Sequence, residues 1–146
     1  MVRNYDTPAP ARVVANLRRV LSQQDMSLLQ KGSYELLITH CGFIAHYDHQ
    51  GFVATYQDDL PSFVDQFLNQ MGLGWDIFLD NQRSYLYDVS YKGKMLADII
   101  RELVPIFVEH RPLIESAHRV RAQEREEAAL KALAQRLGYD LVKREP

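Results

Sequence analysis

Within the ten residues from His40 to His49 stand three imidazoles, a thiol and a carboxylate: His40, Cys41, His46, Asp48 and His49. Imidazole nitrogen and carboxylate oxygen suit zinc or another transition metal. Read as part of a strand, His40, His46 and Asp48 share a parity, and His49 lies at the following turn. A metal-dependent hydrolase or nuclease built on His40, His46, Asp48 and His49 is therefore one alternative. Against it, zinc motifs use tighter, repeated spacings, and a solvent-facing strand also accommodates His and Thr. No metal, cofactor or catalytic residue is assigned.

A second group is acidic. Trp75, Ile77 and Leu79 recur at every second position, as do Tyr85, Tyr87, Val89 and Tyr91, which predicts a hairpin. A three-residue loop at Asn81-Gln82-Arg83 sets Asp76 opposite Asp88, with Phe78 and Leu86 on the same face. Like charges facing each other across strands destabilise the pair unless water, a cation or a partner's basic side chain separates them. A surface of Asp76, Phe78, Leu86 and Asp88, helped by Asp58 and Asp59, suits a protein partner with a basic surface.

A third group is basic. Ile114, His118, Arg121 and Arg125 share one side of the last helix, with Arg119 close by, so nucleic-acid binding is a further alternative. Glu115 precedes Arg119 by four residues and Glu127 precedes Lys131 by four, and such pairs solubilise a helix with no ligand. The glycines form no phosphate cradle, and no nucleophile motif surrounds any serine.

These groups need elements to hold them. Gly42-Phe43-Ile44-Ala45-His46-Tyr47 is echoed nine residues later by Gly51-Phe52-Val53-Ala54-Thr55-Tyr56, and Asp48-His49-Gln50 between them resembles a turn. Pairing Tyr47 with Phe52 sets Phe43 against Tyr56 and gathers the aromatics on one face, so a hairpin is expected here, entered by an extended segment from Tyr34 to Cys41. Before it, Val13, Val14, Leu17, Val20, Leu21 and Leu28 form a helical stripe interrupted at Gln24. Asp58-Asp59 opens a helix bearing Phe63, Val64, Phe67, Leu68 and Met71. Lys92-Gly93-Lys94 turns the chain into an apolar helix from Met95 to Phe107, kinked at Pro105. A break at His110-Arg111-Pro112 precedes the last helix, 112–137, stopped by Gly138.

The expected architecture is α+β: a four-stranded antiparallel sheet of two hairpins with helices on one face, in the order αββαββαα. The last helix is anomalous. Leu113, Ile114, Ala117 and Val120 form one stripe, and Ala129, Leu130, Leu133 and Leu137 form another on nearly the opposite side. A straight helix cannot turn both toward one core, so either it bends or its second half meets a second copy of the chain. A homodimer through Leu130, Leu133 and Leu137 is expected.

The 146 residues fit one domain, 1–146, with 47% hydrophobic and 25% charged residues. One cysteine excludes an internal disulfide. No secretory signal or membrane-spanning run is read, so a cytoplasmic location is expected. The net charge of −2 hides a partition: residues 32–90 carry eight acidic and one basic side chain, and both ends lean basic. The expected function is that of a small interaction protein (inhibitor, immunity or chaperone-like) and not an enzyme.

Overall fold

A computed structural model describes residues 9–43, 48–71 and 89–142. These residues are mostly helical, and among them a two-stranded antiparallel pair stands in place of the expected four-stranded sheet. The elements are α1 (Ala9–Gln23), a single 3-10 turn (Met26–Leu28), α2 (Lys31–His40), α3 (His49–Gln57), α4 (Leu60–Met71), β1 (Ser90–Tyr91), β2 (Lys94–Met95) and α5 (Leu96–Leu137).

The first hairpin is the main correction. Residues 49–57 are α3, and Asp48 is its N-cap, with Oδ1 accepting from the Gly51 amide at 2.7 Å. Period-2 and period-4 spacings coincide at Phe52 and Tyr56, which are two strand repeats apart and also i, i+4 on a helix. The cap is a local signal for the helix. Phe43 and Tyr56 do meet, with ring centroids 5.9 Å apart, but as a loop residue against a helix. Tyr47, the expected partner of Phe52, lies outside the described residues. The segment expected to be extended from Tyr34 to Cys41 is α2, which buries Ser33, Tyr34, Leu36 and Leu37. Of the second hairpin, residues 72–88 lie outside the described residues. Only a short ribbon is described here, pairing Ser90 with Met95 and Tyr91 with Lys94. Lys92 (φ 46°) and Gly93 (φ 92°) make a tight turn with both central residues left-handed.

The helices follow from their stripes. α1 buries Val13, Leu17, Val20 and Leu21 and ends in a Schellman turn, Asp25 N–H to Val20 C=O and Gln24 N–H to Leu21 C=O. Gln24 holds φ at 51°, where a Cβ is strained, so Gln24→Gly is expected to stabilise the chain by about 0.5–1 kcal/mol in urea titration. α4 buries Leu60, Phe63, Val64, Phe67, Leu68 and Met71, the apolar positions read from its spacing with Leu60 added. α1 and α4 pack against the first half of α5, and α2, α3 and the 3-10 turn close the core. At its centre Phe107 stacks on Phe67 at 3.8 Å and meets Phe63 at 5.7 Å, and Phe63 joins Phe43, Phe52 and Tyr56.

The expected break at His110-Arg111-Pro112 does not occur. α5 runs 42 residues, about 63 Å, through both Pro105 and Pro112. The two prolines stand seven residues apart on one exposed face, where water can reach the carbonyls that lose their amide partners. Opposite them Leu103, Ile106, Phe107 and Ile114 are buried, and that packing keeps the helix continuous.

Candidate functional site

The described members of the histidine-rich group are turned to separate tasks. Asp48 serves as a cap, and His49 donates Nε2–H to the Leu29 carbonyl at 2.7 Å while its ring stacks on Tyr34. His40 ends α2, where burial lowers its pKa below the ordinary imidazole value. Cys41 is wholly buried, and desolvation pushes its thiol far above the ordinary range. His46 lies outside the described residues. Among the described residues no group of three or more His, Cys, Asp or Glu side chains could hold a metal ion. Asp48→Ala is expected to lower stability by about 1 kcal/mol, through loss of the α3 cap, measured by thermal unfolding.

Of the acidic group, only two members are among the described residues. Asp58 is the C-cap of α3, and Asp59 opens α4, its Oδ2 accepting from Ser62 Oγ at 2.7 Å. Both are exposed in the α3–α4 turn, with no described sheet face to join. Asp76, Phe78, Leu86 and Asp88 lie outside the described residues. The basic group is not one surface. Ile114 is fully buried and His118 half-buried, while Arg119, Arg121 and Arg125 are exposed at different azimuths of α5.

The second half of α5 is where unexplained apolar surface collects. From Arg119 onward every described residue except Ala122 and Ala134 is exposed. Leu130, Leu133 and Leu137 are 55, 42 and 58% exposed, and Leu113 and Val120 are 63 and 52% exposed. Scattered apolar residues on a surface are ordinary, but Leu113 and Val120 recur at a spacing of seven, as do Leu130 and Leu137. The stripe grouping Leu113 and Val120 with Ile114 is corrected: Ile114 faces the core, whereas Leu113 and Val120 face away from it. Spacing in sevens separates them in the sequence itself. Leu113, Val120, Glu127 and Ala134 are each seven apart, as are Leu130 and Leu137, and Ile114 belongs to neither series.

Two features bound this surface. On the core side, Arg111 bridges Asp65 of α4 at 2.7 Å and Glu115 at 3.1 Å, so α5 is tied to α4 up to this level. At the far end Gly138 (φ 80°) closes the helix, and Tyr139 N–H donates to the Ala134 carbonyl at 2.8 Å. The chain then turns back, bringing Leu141 and Val142 beside Glu127, Leu130 and Lys131. No described helix is long and apolar enough to cross a membrane. No family model, curated protein or solved structure matches the chain.

Proposed function

We propose that this chain is a small cytoplasmic interaction protein that works by binding another macromolecule and that assembles as a homodimer through the second half of α5. The observation that supports this reading is the exposed apolar side carrying Leu130, Leu133 and Leu137, on a helix whose first half is already used by the core. A lone helix of this kind gains from covering its stripe, at about 25 cal/mol for each Å² of apolar surface removed from water. The globular half supplies a rigid base, and the helix carries the contact away from it.

The test is light scattering on the full chain across a concentration series. Wild type is expected to approach twice the chain mass, and Leu130→Asp/Leu137→Asp to remain at one chain mass with unchanged helicity. A wild type that stays monomeric throughout would remove the reading.

A further inference from the structure

We infer that two copies of the chain pair through α5 in antiparallel fashion, centred on Arg125. This rests on the self-association proposed above and adds its direction and register. In heptad notation Leu113, Val120, Glu127 and Ala134 occupy one seam position, and Ser116, Gln123, Leu130 and Leu137 occupy the other. All but Ala134 are exposed in the single chain.

Antiparallel pairing about Arg125 sets each residue against the one equally far on the other side of that centre. Leu113 then meets Leu137, Val120 meets Leu130, Ser116 meets Ala134, and Gln123 meets Glu127, each layer occurring twice. The large apolar residues pair with one another. The central Gln123 amide can donate to the Glu127 carboxylate of the other copy. Parallel pairing instead stacks Glu127 on its own counterpart within the seam, a like-charge contact in a desolvating position.

The globular halves favour the same direction. In antiparallel pairing the two Ile114 levels are about 33 Å apart along the axis, so the two cores sit at opposite ends. Parallel pairing would stand both at one level, side by side. The flanking charges serve either direction and select neither. Antiparallel pairing brings Arg119 within long-side-chain reach of Glu126 of the other copy, and parallel pairing brings it within reach of Glu124. Pairing displaces the returning segment from beside Glu127 and Leu130, and that segment has little contact to lose, with Tyr139, Leu141 and Val142 70, 53 and 90% exposed.

The experiment combines light scattering with disulfide trapping in full-length chains. Val120→Cys and Leu130→Cys chains are mixed and oxidised, and each is also oxidised alone. Buried Cys41 does not compete. The expected result is a dimer in which the thiol introduced at position 120 joins the one at position 130 across chains, with little product from either variant alone. Antiparallel pairing separates the two copies of either position by about 15 Å along the axis, beyond the roughly 7 Å that a disulfide spans. A dimer trapped between identical positions would overturn the direction and leave self-association standing. A dimer that forms neither disulfide would overturn the seam, and a monomer would overturn both proposals. As an independent arm, Arg119→Glu is expected to weaken self-association roughly threefold, with Glu126→Arg restoring it. Restoration by Glu124→Arg instead would overturn the direction in favour of the parallel arrangement.

Discussion

Phe107→Ala is expected to lower the stability of this protein by about 3–5 kcal/mol, the range for emptying a large aromatic site in a packed core. Phe107 is fully buried and stacks on Phe67 with ring planes 13° apart, while its other ring contact, Phe63, leads into the cluster of Phe43, Phe52 and Tyr56. Removing the ring opens a cavity where α4 and α5 meet, and the neighbouring aromatics cannot collapse into it without leaving one another. A domain of this size is stable by roughly 5–15 kcal/mol, so the loss is a large share of the whole. Urea titration followed by circular dichroism measures it. A cost below about 1 kcal/mol would mean that α4 and α5 are not packed as described.

Asn16→Ala is the second large effect, at about 3 kcal/mol, because it breaks one buried and two part-buried hydrogen bonds at once. Asn16 is one of two buried polar residues among those described, and its side chain serves three groups. Nδ2 donates to the Leu28 carbonyl at 2.9 Å, and Oδ1 accepts from the Gln30 amide at 3.0 Å and from Ser33 Oγ at 2.7 Å. One amide therefore ties α1 to the end of the 3-10 turn and to the start of α2, which has no side-chain cap of its own. Alanine removes the partner of all three; a buried unsatisfied group costs about 1–3 kcal/mol, and the two part-buried groups, which water reaches more readily, cost less. Asn16→Asp cannot donate to Leu28 and is expected to recover only part of the loss. Hydrogen exchange then shows the effect concentrated at residues 28–34.

These two sites differ in how far the residues in order reveal them. The stripes of α1 and α4, which lead to Phe67 and its neighbours, are legible because an amphipathic period of 3.6 over twelve or more residues has no other good reading. The Gly138 stop is legible for a similarly local reason: a left-handed position after a periodic run favours glycine. The conflict of two stripes on the last helix is also legible, and it leads directly to Leu130, Leu133 and Leu137. Asn16 is not legible. A polar residue within an apolar stripe gives no sign of the three partners that fold around it.

Around Gly42–Tyr56 local information is ambiguous, and the expectation of strands is wrong for the second copy of the repeat. Aromatics repeating at nine residues with β-branched neighbours fit a hairpin, yet Phe52 and Tyr56 are also helical neighbours, and Asp48 is a good cap. Tertiary packing favours the helix because it brings Phe52 and Tyr56 together onto Phe43 and Phe63. The same choice turns Asp48 to a backbone amide and His49 to the Leu29 carbonyl. The continuity of α5 is likewise a tertiary decision. Two prolines argue locally for a break, and the burial of Leu103, Phe107 and Ile114 on the opposite face outweighs the missing backbone bonds. By itself, then, the sequence determined which faces are apolar and where the clearest helices begin and stop. Only the folded chain decided which of those faces are already covered, because coverage depends on neighbours distant in the sequence.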